Sequence, residues 1–196
     1  MREDNGELTK NQGKVLLALA RQTIAENIGR NLPQAEKKMV ENWLQDSALQ
    51  QKRGTFVTLT KDENLRGCIG NITPVTSIAD GVRQNAVQAA FNDPRFPPLQ
   101  AEEFDEIKIE VSILTEPRQL DYQDGHEIPR KLRPEVDGVI IRSGMASSTF
   151  LPQVWEKLPD PEDFLNNLCL KAGLDPGYWK TGKPEVQTYQ VQSFTE

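Results

Sequence analysis

The chain is short of several residue types, and each shortage removes a class of function. It has two cysteines and one histidine in 196 residues. Two thiols at positions 68 and 169, 101 apart (169 − 68), make neither a disulfide framework nor a C-x-x-C metal pair. A lone His126 cannot build a histidine-rich zinc or iron centre; a carboxylate site for Mg²⁺ stays open on this ground, and no metal ligand is singled out. Basic residues are in deficit: 23 Lys plus Arg against 29 Asp plus Glu give a formal charge of −6. That balance works against non-specific nucleic-acid binding, where phosphates select basic surfaces. No apolar run approaches the ~18 residues a membrane span needs. The N-terminal MREDNGELTK is acidic and lacks the apolar core of a signal peptide. Free thiols without a leader are the pattern of a cytoplasmic protein.

What is present is an ordinary globular balance: 37% hydrophobic, 27% charged and 7% aromatic residues. The length fits one domain, 1–196, or two lobes within it. Thr9 to Gln12 has capping-box form, followed by Leu17, Ala20, Ile24 and Ile28 at helical spacing and by Gly29 as a stop. Pro33 opens a second helix striped by Met39, Val40, Trp43 and Leu44. The period then changes to two. GTFVTLT, the turn-like KDEN and LRGCIGN read as a β-hairpin over 54–70. Ser77 caps a helix to Phe91 with Ile78, Val82, Ala86 and Ala89 on one face. EIKIEVSIL, 106–114, alternates strictly and is the clearest strand. Residues 116–136 are polar and proline-bearing, and read as a connection between lobes. A second hairpin over 138–151, a helix over 161–172 opened by Asp160-Pro161, and a last strand over 185–194 follow. The order hairpin, helix, strand thus occurs twice, which predicts an internal ββαβ duplication. The fold class expected is α+β: a mainly antiparallel sheet flanked by helices, in two unequal lobes with a cleft.

LRGCIG, 65–70, places a thiol between two glycines. Under strict alternation Leu65, Gly67 and Ile69 face one way and Arg66, Cys68 and Gly70 the other. Arg66 would then sit beside Cys68, and a guanidinium next to a thiol favours the thiolate. Gly70 would leave room on that face, and Gly67 would admit close backbone approach or positive φ. A free cysteine is also commonly a small core residue, and Cys169, in line with Leu165 and Ala172, is expected to be one. His126 in YQDGHEIP is the only histidine that could pair with Cys68. Glu110, on the polar side of the clearest strand, is a candidate to border the same site.

NDPRFPPL, 92–99, is the other unusual stretch. Asp93 suits an Asx-type turn, Phe96 and Leu99 would anchor the loop, and Arg95 presents a fork for a carboxylate or phosphate. An internal Asp93–Arg95 pair in a rigid connector accounts for the same residues. Gly-rich nucleotide signatures and the G-x-S-x-G elbow are absent.

GTFVTL, LRGCIG, DPRFPPL preceded by A-x-F-N, IEVSIL, FLPQV and LCLKAGL occur in this order from about residue 10 onwards. Together they resemble the AMMECR family, the protein A component of the AmmeMemoRadiSam group; LRGCIG with DPRFPPL is the specific pair. Where the family pattern often has a histidine, this chain has Asp137 in Asp-Gly-Val. The resemblance implies an α+β fold in two lobes with LRGCIG near the cleft. It implies association with a Memo-like protein and a radical-SAM protein, and no settled activity, substrate or cofactor. Two functions stay open. One is an enzyme with Cys68 and Arg66 as candidate catalytic residues, and with Gly67, Gly70, Arg95 and Glu110 lining the binding site for a small molecule. The other is a non-catalytic module that binds a small anion, a peptide or one of those partners.

Overall fold

The computed structural model describes residues 7–196. The first six residues of MREDNGELTK, and with them most of the stretch read as lacking a signal peptide, lie outside the described residues. In chain order the elements are α1 (Lys10–Asn27), α2 (Gln34–Trp43), β1 (Thr55–Lys61), β2 (Asn64–Asn71), α3 (Ile78–Phe91), β3 (Ile107–Leu114) and β4 (Arg118–Gln119). Then come α4 (Ile128–Lys131), β5 (Gly138–Ser143), β6 (Ala146–Phe150), α5 (Pro161–Lys171), α6 (Tyr178–Thr181), β7 (Glu185–Tyr189) and β8 (Val191–Thr195). Short 3₁₀ turns occupy Ala101–Glu103, Gly125–Glu127 and Pro152–Glu156. The fold is α+β, with two four-stranded antiparallel sheets flanked by helices. The chain divides into two compact units of unequal length. One runs to Leu114 and takes back Gln192–Glu196; the other is Thr115–Val191.

The first unit has strand order β2-β1-β3-β8, with β1 antiparallel to both β2 and β3. Alternation assigns its faces. Val57 and Leu59 stand opposite Val111 and Ile109, and with Ile107 and Ile113 they are buried. α1 and α3 cover this face with Leu16, Ala20, Ile24, Ile78, Val82, Ala86 and Ala89, all but sealed from water. Removing each such side chain from water stabilises the unit by about 1.5–3 kcal/mol for the larger residues. Both helix starts are held as their sequences dictate. Thr9 and Gln12 exchange a capping box, the Thr9 N–H donating to Gln12 Oε1 at 2.7 Å. The Ser77 hydroxyl accepts the Asp80 N–H at 3.1 Å. Pro33 is the residue before α2 rather than its first helical residue.

The second unit has strand order β4-β7-β5-β6. Its core stacks Trp155 on Phe164, ring centroids 3.7 Å apart and planes 6° from parallel, with Val139, Ile141, Leu165, Leu168, Trp179 and Val186 around them. Asp160 caps α5 by accepting the Glu162 and Asp163 N–H groups, with Pro161 as the first helical residue. Residues 116–136 belong to this unit and carry β4, a 3₁₀ turn and α4. The single last strand expected over 185–194 is two strands. β7 joins the second sheet and β8 the first, with Gln190 between them.

Candidate functional site

The hairpin register decides where LRGCIG points. Lys61 pairs with Asn64 and Thr60 with Leu65, but Leu59 pairs with Gly67. Arg66 is therefore the extra residue of a β-bulge. Without it, the ladder leaving the Asp62-Glu63 turn would set Arg66 opposite Leu59 and Gly67 opposite Thr58. Cys68 would then fall on the core face. The inserted residue shifts the register by one, and one residue exchanges the two faces. Cys68 stands opposite Thr58, on the face away from α1 and α3, while Gly67 turns to the core.

The glycines serve packing. A Cβ on Gly67 would lie 2.1 Å from the Ala89 carbonyl oxygen of α3, and one on Gly70 would lie 2.2 Å from the Phe56 ring. The Ala89 backbone makes the close approach expected at Gly67, whereas the Phe56 ring fills the room expected beside Gly70. Both glycines thus let β2 approach its neighbours.

Arg66 is drawn away from the pattern of strict alternation by its place in the bulge. Its Nε and Nη2 grip Glu103 at 2.9 and 3.0 Å, and Nη2 also donates to the Pro97 carbonyl at 2.9 Å. Nη1 is buried and has no hydrogen-bond partner among the described residues. This bidentate pair holds the Glu103 carboxyl down at about 2. Burial opposes the shift, and the Gln100 N–H and the charges of Arg66 and Lys61 assist it.

The arginine that reaches Cys68 is Arg95. Asp93 is 3% exposed. Its Oδ1 accepts Arg95 Nε at 2.9 Å and the Arg95 backbone N–H at 3.1 Å; its Oδ2 accepts Arg95 Nη2 at 2.7 Å. Oδ2 also accepts the Cys68 N–H at 2.9 Å, and Arg95 Nη2 donates onward to the Cys68 carbonyl at 3.0 Å. The connector after α3 thus satisfies both backbone groups of Cys68 on an edge strand. The Arg95 fork holds the Asp93 carboxyl far below the usual carboxylate range, against burial and with help from the Cys68 and Arg95 N–H groups. Arg95 is in turn held more firmly protonated, first by Asp93, with the charge and hydrogen bonding of the Cys68 side chain adding to it. The internal Asp93–Arg95 pair expected from the sequence is present, and it extends to β2. Leu99 is buried and Phe96 half-buried, the Arg95 guanidinium lying 5.5 Å from the Phe96 ring centre.

On the other side of the thiol, the Thr58 hydroxyl donates to Cys68 Sγ at 3.3 Å. Thr58 also stands opposite Glu110 on β3, so Cys68, Thr58 and Glu110 form one row across three strands. All three are half-buried. The next row holds Gly70, Phe56 and Ser112, and the Ser112 hydroxyl reaches Glu110 Oε1 at 3.2 Å and Ser193 Oγ at 2.9 Å. Of the residues singled out in the sequence, the structure brings Cys68, Arg95 and Glu110 to this region. It engages Arg66 with Glu103, draws in Asp93 as the partner of Arg95, and adds Thr58.

The remaining candidates belong to the second unit. His126 is exposed, its ring edge-on to Trp179 at 6.4 Å. Cys169 is fully buried in α5, its thiol pushed up by burial, with a backbone hydrogen bond from Trp179 opposing. Asp137 is buried too. It accepts Arg133 Nη2 at 2.6 Å and the Arg133 N–H at 2.9 Å, and its carbonyl accepts Trp155 Nε1 at 2.7 Å. It is a structural anchor of its loop. Among the described residues no group of three or more His, Cys, Asp and Glu side chains is placed to hold a metal ion. Nor is any described helix long and apolar enough to cross a membrane.

Fold and site define a two-sheet α+β protein with a half-buried thiol on a bulged edge strand, clamped by an aspartate–arginine loop. The chain belongs to the AMMECR1 family, whose sequence model matches residues 17–194. A protein of Methanothermobacter thermautotrophicus is 40% identical over 192 residues, covering 96% of each chain. One from Methanopyrus kandleri is 37% identical over 198 residues, covering 97% of this chain and 91% of its own. The crystal structure of an uncharacterized protein from Pyrococcus horikoshii matches with a TM-score of 0.76 at 35% identity, over 94% of this chain and 91% of that one.

Proposed function

We propose that this protein is an enzyme of thiolate chemistry whose site is the Cys68–Thr58–Glu110 row with Arg95 beside it. Cys68 is the nucleophile. Arg95 supplies the positive charge that favours its ionised form, and the Thr58 hydroxyl donates to the sulfur. Glu110, two strands away in the same row, is the carboxylate on this face, with Thr58 between it and the sulfur. The Arg95 side chain is 53% exposed, so part of the guanidinium is open to an anionic group on a small-molecule substrate. Arg66, the catalytic candidate from the sequence, is here a support for the bulge. Gly67 and Gly70 shape the strand on which the thiol sits. The observation that carries this reading is the bulge, which turns a thiol that regular pairing would bury onto the polar face beside a guanidinium.

The same exposed guanidinium supports a second reading, a module that binds an anion, a peptide or a Memo-like or radical-SAM partner without chemistry. Either activity is placed in the reducing cytoplasm, where two unpaired thiols would persist. Selective alkylation separates the two. Under the enzyme reading, iodoacetamide modifies Cys68 in the folded protein well below the ~8.5 of an ordinary thiol, while Cys169 stays unmodified. A Cys68 that titrates like a free thiol, together with Cys68→Ser retaining binding of an anion or partner, would establish the module instead.

A further inference from the structure

We propose that Asp93 is the positioning residue of this site: its buried carboxylate fixes the Cys68 backbone and the Arg95 guanidinium in one frame, and that frame regulates the reactivity of the thiol. The proposal rests on the thiolate reading above and names the group that controls it. Four N–H groups converge on Asp93, one from Cys68 and three from Arg95, at 2.7–3.1 Å. Arg95 Nη2 closes the circuit by donating to the Cys68 carbonyl. A guanidinium on a long side chain, more than half exposed, has many rotamers open to it. Here Nε and Nη2 are both fixed by Asp93, and the plane of the group is set against residue 68.

Asp93 has two effects on the sulfur, and they differ in sign. As a negative charge it disfavours a thiolate, and its removal alone would favour one. As the clamp on Arg95 it holds a positive charge in place, and its removal would let that charge leave residue 68. The second effect is the larger. The Asp93 charge is already paired with the fork and with the Cys68 N–H, whereas an Arg95 released into water would be screened from the sulfur. The other charged groups about Cys68 are Glu110 across β1 and Arg66 two residues earlier on β2, the latter engaged by Glu103. Neither takes part in the clamp.

The test is the rate of Cys68 alkylation by iodoacetamide between about pH 5 and 10, in the full-length protein and in Asp93→Asn, with thermal unfolding followed in parallel. Asparagine keeps the shape but carries an amide NH₂ where an oxygen accepted donors. The expected result is a rise in the alkylation midpoint of about one pH unit, and roughly tenfold slower modification near pH 7. A folded Asp93→Asn protein whose midpoint is unmoved or lowered overturns the proposal and leaves the thiolate reading standing. If Asp93→Asn does not fold, Arg95→Lys reads the same frame, since it keeps the charge and loses the fork. A raised midpoint supports the proposal and an unmoved one overturns it. An ordinary midpoint in the unaltered protein overturns the thiolate reading and this proposal with it.

Discussion

Three strands of each unit lie in a comparable order, and the edges are finished differently. In each, the first hairpin strand lies between its hairpin partner and the strand that follows the helix: β2-β1-β3 in one, β6-β5-β7 in the other. In each, the second hairpin strand is held by groups from the helix or the segment after it. On β6 the Ser148 hydroxyl donates to the Leu168 carbonyl of α5 at 2.6 Å, and Lys171, the last residue of that helix, donates to the Thr149 carbonyl at 3.0 Å. On β2 the same place is taken by Asp93 and Arg95, which satisfy both backbone groups of Cys68. The cysteines follow suit. Cys169 lies sealed within α5, whereas Cys68 is half-buried on the clamped strand. Lysine and serine are enough to fasten an edge. The aspartate–arginine fork adds a half-exposed guanidinium fixed at the backbone of a residue that carries a thiol, which fastening alone does not require. That difference is the physical reason for placing the site in the first unit.

The largest expected effect comes from removing the close approach at β2. Gly67→Ala drives a Cβ into the Ala89 carbonyl, and backbone on both sides leaves nothing to give. A loss of about 3 kcal/mol in chemical denaturation is expected. Gly144→Ala in the corresponding turn of the second hairpin meets open space and costs only its positive φ of 57°, about 1 kcal/mol. Equal losses would remove the distinction between the two hairpins.

Next comes the bulge support. The folded Glu103 carboxyl, at about 2, lies below its ordinary 4.5, so the unfolded chain binds the extra proton. The Arg66–Glu103 pair therefore stabilises fully above about pH 4.5, and its contribution disappears as the pH falls towards 2. Glu103→Gln should flatten this part of the acid-unfolding curve and cost about 1–3 kcal/mol at neutral pH, since it leaves Arg66 with a weaker partner. An acid limb unchanged by the substitution would count against the pair.

The thiols give the smallest effect. Cys169→Ser places a hydroxyl in a dry core and should cost about 1–2 kcal/mol. Cys68→Ser keeps a hydroxyl neighbour and partial solvent contact, and should stay within about 0.5 kcal/mol. Comparable losses would mean that Cys68 is core packing like its counterpart.

Much of the architecture was legible because local and global signals agree. β3 alternates Ile107, Ile109, Val111 and Ile113 without interruption, and all four are buried. Thr9, Ser77 and Asp160 cap the helices they precede in the sequence. The last strand was not legible as two. VQTYQVQSF spaces Val186, Tyr189, Val191 and Phe194 without steady alternation, and its break at Gln190 carries neither glycine nor proline; Gln190 is held instead by backbone and hydroxyl bonds with Thr115, 75 positions away. The site was half legible. LRGCIG and NDPRFPPL stand out by composition, and the Asp93–Arg95 pair follows from proximity in sequence. Which arginine reaches residue 68 did not follow, because one inserted residue at Arg66 reassigns every face after it. Thr58 was hidden by the same bulge, since a regular ladder sets it against Gly67. Its signal was the Arg66-Gly67 step itself, an arginine and a glycine at the point where β2 must part from strict pairing.

The register opposite Cys68 is the most direct point of attack. In a Thr58→Cys variant, mild oxidation should join residues 58 and 68 in a disulfide, because their side chains are cross-strand neighbours with Thr58 Oγ1 now 3.3 Å from Sγ. Mass spectrometry of the digested protein should recover that cross-linked peptide in high yield. A folded variant in which both thiols stay free would contradict the bulged register, and with it the placing of Cys68 on the polar face beside Arg95.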